Sequence, residues 1–262
     1  MQIVLLGAGG YHPNSRRHTA CVMLPELGVV FDAGTASFRI PQHLATDQLD
    51  IFLSHTHLDH VFGLTTLIGL FKGDDPAKIR VHGEAEKLAT LQEHLFSPLL
   101  FPVKANFTPH PIEPGGQAIE VAGGTQLASG AQVTSFPLVG HPGGSIGFRL
   151  EVPASSDQPA RSMAYVTDTI ADITAPYVNH LQGVDVLIHE AYFDDDRREF
   201  ANLTGHSCLG DVVAIAEKVQ AKQLVLVHMN PREETDEPLD LTEAKQRVPK
   251  VSLGADGDAI RF

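Results

Sequence analysis

The sequence predicts a layered α/β (α+β) fold in which two sheets pack on each other with helices outside. Three observations lead there. Short apolar runs recur between Gly, Pro, Asn and Asp, which is how strands cut off by turns read in a sequence. Helix-forming stretches follow these runs, and strand-rich segments followed by helices occur in both halves of the chain. With 262 residues, 43% of them hydrophobic and 19% charged, there is ample apolar surface for a core. One domain spanning residues 1–262 is expected.

From the N-terminus, runs over 3–6, 19–24, 29–31 and 51–53 read as strands. Residues 63–71 and 85–96 read as helices, the second through its Ala, Glu, Lys, Leu and Gln content, with a strand over 79–81 between them. A Pro- and Gly-rich stretch over 101–116 reads as a loop. Strands resume over 119–121, 133–136, 147–152 and 163–166, with a short polar turn over 155–159. The last third alternates. A strand over 184–188 precedes a helix over about 209–219, for which Ser207 is the expected N-cap. A strand over 224–227 and a helix over 242–248 complete the pattern. No internal repeat stands out, and no stretch has the character of an interdomain linker.

Composition excludes several functions. No apolar stretch approaches the ~20 residues of a membrane span, and the start of the chain lacks the basic region of a signal peptide. A cytoplasmic protein without a membrane partner is expected. Cys21 and Cys208 are far apart and in no C-x-x-C arrangement, so neither a disulfide framework nor a thiolate zinc site is indicated. Each is expected to be a small buried residue. A net charge of -13 argues against DNA as a partner, because nucleic-acid affinity rests on Lys and Arg neutralising phosphates. A small anionic substrate stays open, since bound cations can invert the local potential whatever the whole chain carries.

The segment His55-Thr56-His57-Leu58-Asp59-His60, directly after the apolar run ending at Leu53, carries four potential metal ligands in six residues. Imidazole suits zinc, copper, iron or nickel and carboxylate suits harder ions, so the mixed set admits a borderline ion such as zinc or manganese. If His55 and His57 turn one way and Asp59 and His60 another, one loop serves two ions. Further candidates lie where expected strands end: His141 before Pro142-Gly143-Gly144, Asp168 after Tyr165-Val166-Thr167, and His228 after Leu224 to Val227. A polar residue delivered at the end of an apolar strand sits at the sheet rim, where loops build sites.

These residues, in this order, resemble the metallo-β-lactamase superfamily over nearly the whole chain. The resemblance implies a four-layer αββα sandwich and two divalent metal ions, zinc or else manganese. It implies that His55, His57 and His141 bind one ion, that Asp59, His60 and His228 bind the other, and that Asp168 bridges them. A second constellation, His189-Glu190-Ala191 at a strand end and Gly205-His206-Ser207 before a helix, looks like the paired segments of the tRNase Z (ribonuclease Z)-like group of that superfamily. The opening Gly7-Ala8-Gly9-Gly10, with Pro13 and Arg16-Arg17, also looks related, and its glycines would let the backbone approach a substrate. Carried over, Asp59 orients or deprotonates the nucleophile, His206 protonates the leaving group and Glu190 orients and charges His206. Two metals ~3.5–4 Å apart would supply the nucleophile and polarise the phosphoryl oxygens. Arg16 or Arg17 is a candidate phosphate contact.

Departures from the group narrow the substrate. Only a short turn separates the strands between His141 and Asp168, where tRNA-processing members usually carry a long basic arm. Phe31-Asp32-Ala33-Gly34-Thr35 also lacks the group's longer acidic, Gly-rich segment. With the charge of -13, these losses favour a small phosphodiester, such as a cyclic nucleotide, over tRNA. The alternatives are a tRNA 3′-end endonuclease and, in another class, a non-catalytic metal-binding or cofactor-chaperone protein on the same scaffold. The resemblance also implies a homodimer. The remaining histidines, with His12 and His18 the nearest to lining a cleft, are expected at the surface or in packing.

Overall fold

The computed structural model describes residues 1–73, 75–121, 130–156 and 158–262. Among them lie fourteen strands. The first seven are β1 (Gln2–Gly7), β2 (Cys21–Leu24), β3 (Val29–Phe31), β4 (Leu49–Phe52), β5 (Ile79–Gly83), β6 (Thr108–Pro111) and β7 (Ile119–Glu120). The rest are β8 (Gln132–Pro137), β9 (Ile146–Val152), β10 (Arg161–Val166), β11 (Val186–Glu190), β12 (Leu224–Val227), β13 (Val251–Leu253) and β14 (Ala259–Arg261). They form two seven-stranded sheets, ordered β14-β1-β2-β3-β4-β5-β6 and β7-β8-β9-β10-β11-β12-β13.

Both sheets follow one plan. In the first, β14, β1, β2 and β3 pair antiparallel, and β3 to β6 pair parallel. In the second, β7 to β10 pair antiparallel and β10 to β13 parallel. This duplication has no counterpart in the sequence, because backbone pairing constrains direction and not residue identity. The last strand, β14, returns to complete the first sheet.

The apolar strands are explained by burial on both faces. In β1, Ile3 and Leu5 face the core between the sheets, while Val4 and Leu6 face an outer cluster. In β12, Val225 and Val227 point inward and Leu224 and Leu226 outward. Phe31, Phe52, Phe148 and Tyr165 from both sheets stack in the middle of the inner core. The helix Leu209–Lys218 covers the second sheet with Val212, Val213, Ile215 and Ala216, and Leu88 and Leu91 help to cover the first. The result is the αββα layering. No helix among the described residues is long and apolar enough to cross a membrane.

Some expected elements change. The helix expected over 63–71 is a 3-10 turn, Phe62–Thr66, followed by turns, and Gly69 and Gly73 adopt φ of 78° and 84° that no helix continues through. The helix over 85–96 runs as Ala85–Thr90 and then a π turn, Leu91–Leu95. Part of the expected loop over 101–116 is β6, whose Pro109 and Pro111 are tolerated because β6 is an edge strand. The last helix shrinks to Ala244–Arg247. An unexpected helix, Arg198–Thr204, ends on left-handed Gly205. Ser207 is not an N-cap: Cys208 holds that position, and Ser207 Oγ donates to the Thr169 carbonyl at 2.7 Å. Residue 157 of the turn over 155–159 lies outside the described residues. Both cysteines are buried and free, as expected.

Candidate metal centre

Parallel pairing aligns strand ends, and the carboxyl ends of open α/β sheets are where loops build sites. Asp168 follows β10, Glu190 ends β11 and His228 follows β12. His141 follows β8, which runs in the same direction because two antiparallel pairings separate it from β10. From the other sheet, β4 leads into His55 and His57, and Asp59 and His60 lie on the short helix Leu58–Val61.

The seven ligand candidates converge. His57 Nδ1 and His141 Nε2 are 3.1 Å apart, and His55 belongs to the same group of donor atoms. Asp59 Oδ2 lies 3.3 Å from both His60 Nε2 and His228 Nε2, which are themselves 3.2 Å apart. Asp168 stands between the groups. Its Oδ1 lies 3.5 Å from His141 Nε2 and 3.9 Å from His55 Nε2, and its Oδ2 lies 3.1 Å from His60 Nε2 and 3.3 Å from His228 Nε2.

This arrangement fits divalent cations. Ring nitrogens face each other in both groups, and the buried His55 Nε2 has no hydrogen-bond partner among the described residues. Burial, aided by neighbouring imidazoles, holds His55 well below the usual imidazole range, and burial lowers His57 and His141 too. Neutral rings present lone pairs to a metal. Around His60, burial opposes charge but Asp168, Asp59 and Asp32 outweigh it and push its pKa well up. Burial would likewise raise Asp168 and Asp59, yet His228, His60 and His55 pull Asp168 far down, and His60 and His228 do the same to Asp59. Converging carboxylates thus demand positive charge at this point.

Outer contacts orient the rings. His60 Nδ1 donates to Asp32 Oδ2 at 2.7 Å, and Asp32 also accepts from Ser54 N, Ser54 Oγ and Tyr165 Oη. His55 Nδ1 lies 3.0 Å from Ser54 Oγ, and His141 Nδ1 donates to the Gly205 carbonyl at 3.1 Å. Such partners fix which nitrogen faces a metal. Asp32 is the residue sequence reasoning passed over. In the sequence it is only a strand-end acid; in the structure it has φ of 58°, and Asp168, after the corresponding strand of the other sheet, has φ of 51°.

At the rim, His206 Nδ1 lies 3.0 Å from Glu190 Oε2, while Glu190 Oε1 accepts from Thr169 N at 2.7 Å. Burial disfavours charge on His206, but Glu190 outweighs it and raises the pKa to about 9. Arg16 and Arg17 are committed elsewhere. Arg16 pairs with Asp236, and Arg17 is buried and donates to the carbonyls of Thr235 and Asp236, so both brace the opening loop. Arg232 was missed. It is exposed, sits near enough to Tyr192 to affect its hydroxyl, and has no ion pair among the described residues. The opening glycines serve the protein's own packing: a Cβ on Gly10 would lie 2.5 Å from the His228 ring, and one on Gly7 would meet the Thr19 carbonyl. His12 is exposed, and His18 packs edge-on against Phe38.

The β-lactamase superfamily domain matches residues 28–229. The chain belongs to this family. It is accordingly a hydrolase of the metallo-β-lactamase superfamily, whose fold implies divalent metal ions. It is similar to ribonuclease Z of Halobacterium salinarum, 28% identical over 297 aligned positions covering 98% of this chain and 92% of the relative. Its fold is similar to the metallo-β-lactamase fold protein YhfI of Bacillus subtilis, with a TM-score of 0.75, 18% identity and coverage of 99% and 98% of the two chains. It is also similar in fold to the short form of human tRNase Z, with a TM-score of 0.74, 23% identity and coverage of 100% and 99%.

Proposed function

We propose that the protein is a dinuclear phosphodiesterase acting on a small phosphodiester, a cyclic nucleotide or a diester of similar size. The observation that carries this reading is the Glu190–His206 pair beside two donor groups spanned by Asp168. A hydrolase that needed only activated water would not need a second, protonated imidazole at the rim. Breaking an unactivated P–O ester bond does need a proton donor for the leaving oxygen.

His55, His57 and His141 would hold one ion and Asp59, His60 and His228 the other, with Asp168 between them. Zinc suits this nitrogen-rich set, and manganese is the alternative. When bound, such ions polarise phosphoryl oxygens and lower the pKa of water toward neutrality. Asp59, anchored by the Tyr11 backbone N–H at 2.7 Å, would orient the attacking water. His206 would pass the proton on Nε2 to the leaving oxygen while Glu190 holds Nδ1. Arg232 is the better candidate than Arg16 or Arg17 for a phosphate contact, because no acid among the described residues engages it.

The second reading is a tRNA 3′-end endonuclease, favoured by relatives named ribonuclease Z. Against it, the alignment with the Halobacterium salinarum relative runs over 297 positions while covering 98% of this chain, so the relative carries residues with no counterpart here. The interval between His141 and Asp168 holds β9, β10 and their turn and no basic arm. Turnover of a diester with an alkoxide leaving group, by wild type and His206→Ala, tests the reading. A loss of roughly 10²–10⁴-fold in kcat is expected, and unchanged turnover would sink it. Incubation with precursor tRNA separates the two substrates, and bound metal without turnover of any diester would point to the non-catalytic alternative.

A further inference from the structure

Glu190 holds one atom of the His206 ring. A contact at Nδ1 alone leaves the plane of the imidazole free to swing, since the terminal torsion of histidine is broad. Tyr192 supplies a second constraint. Its ring lies on that of His206 with centroids 4.4 Å apart and planes inclined by 16°, a close stacked contact at the short end of aromatic pair distances. His141, His228 and Phe193 approach the same imidazole at 5.2, 5.5 and 6.4 Å, so the ring is hemmed in by four others, Tyr192 being the nearest.

The stack is tied together through the backbone. Tyr192 N and Phe193 N both donate to the Ser207 carbonyl, at 3.1 and 3.3 Å, and Phe193 forms a β-bridge with Cys208. The strand of chain that carries the tyrosine is therefore stitched to the one that carries His206. His206 N donates to the Ala201 carbonyl at 2.9 Å across the left-handed turn at Gly205, and Phe193 packs with Ala201 and Cys208 while meeting the Tyr192 ring edge-on at 4.8 Å. The Tyr192 hydroxyl makes no side-chain hydrogen bond among the described residues, so its direct contacts are made through the ring.

We propose that Tyr192 is a positioning residue whose ring fixes the plane of His206, aiming Nε2 at the leaving oxygen. The proposal rests on the phosphodiesterase reading. As the P–O bond breaks, the proton moves from His206 Nε2 to the departing oxygen, and Tyr192 takes no part in that transfer. Its contribution is orientation, where small misplacements of a catalytic group are costly.

The test compares Tyr192→Phe, Tyr192→Leu and His206→Ala in the metal-loaded protein on two diesters, one with an alkoxide leaving group and one with p-nitrophenolate, which leaves without a proton. Tyr192→Phe should keep kcat within about threefold on both, whereas Tyr192→Leu, which retains apolar bulk, should lose about 10–100-fold in kcat on the alkoxide ester. Its KM and metal content should stay near wild type, and its loss on the p-nitrophenyl ester should be much smaller. Wild-type kcat in Tyr192→Leu alongside an impaired His206→Ala would overturn the proposal and leave the phosphodiesterase reading intact. A Phe variant as impaired as Leu would overturn it too, by assigning the role to the hydroxyl. Equal losses on both esters with loss of metal would overturn it in favour of a purely structural role. Normal turnover of both esters by His206→Ala would remove the reading and the proposal together.

Discussion

Each oxygen of Asp168 faces a different set of ring nitrogens, so its loss should be felt at both proposed ions, while loss of an outlying ligand should be felt at one. Asp168→Ala is therefore expected to release both ions, and His57→Ala to retain about one per chain, as read by elemental analysis after desalting. Equal metal content in the two variants would remove the bridging role. A pH prediction follows from His206, whose pKa Glu190 raises to about 9. The acid form is present below that value and is lost as pH rises through it, so kcat/KM on an alkoxide ester should fall on the alkaline side near pH 9. Glu190→Gln removes the carboxylate that favours the charged ring, and the alkaline limb should move to lower pH. His141, Asp168, Glu190 and His228 were legible in the sequence because each ends or follows an apolar strand, His55 to His60 because four donors crowd six residues, and His206 through its Gly-His-Ser segment. Asp32 was not, since a buried acid bound to His60 reads the same as any strand-end aspartate. The partners of Arg16 and Arg17 were not legible either, because a cation in a sequence does not show which carbonyls or acids will claim it.

At the level of elements, the opening glycine loop carries a prediction of its own. A Cβ on Gly10 would fall 2.5 Å from His228 Cε1 and Nδ1, closer than any real contact, and His228 is buried with no room to retreat freely. Gly10→Ala should displace the ring and weaken one proposed ion by about 10–100-fold, the cost usual for disturbing a ligand's support. A chelator competition measures this, and wild-type affinity would show that the ring yields cheaply. Asp32→Asn tests the same idea from the other side of the site by removing the charge His60 leans on. Strands with both faces buried, such as β1 and β12, were plain in the sequence as unbroken apolar runs. Three of the four edge strands were not: β6 is half proline, and β13 and β14 bury only one residue each, so their pairing comes from neighbours and not from their own pattern. The repeat of sheet topology was hidden for the same reason.

Over the whole molecule, the donors come from both sheets: His55 to His60 follow β4, and His141, Asp168 and His228 follow β8, β10 and β12. Ions bound there would bind only the folded chain. At a hundredfold excess over Kd, such binding stabilises by about 2.7 kcal/mol, so chelation should lower Tm by roughly 5–11 °C at the ~2–4 °C per kcal/mol typical of a chain this size. An unchanged Tm after proven metal loss would contradict a site shared between the sheets. The same scale decides the substrate. The chain carries 19 Lys and Arg against 32 Asp and Glu, and Arg16, Arg39, Arg80, Arg198 and Arg247 are each paired with an acid. Few cations are left to neutralise a polyanion, and the attraction for phosphate would have to come from the ions themselves at short range. Turnover of a small diester should therefore change less than about threefold between 50 and 200 mM salt, whereas a protein gripping many phosphates loses ~10³-fold or more in affinity. Accurate 3′-end cleavage of a precursor tRNA, with that steep salt dependence, would overturn the small-diester reading while leaving the proposed metal centre and the His206 acid in place.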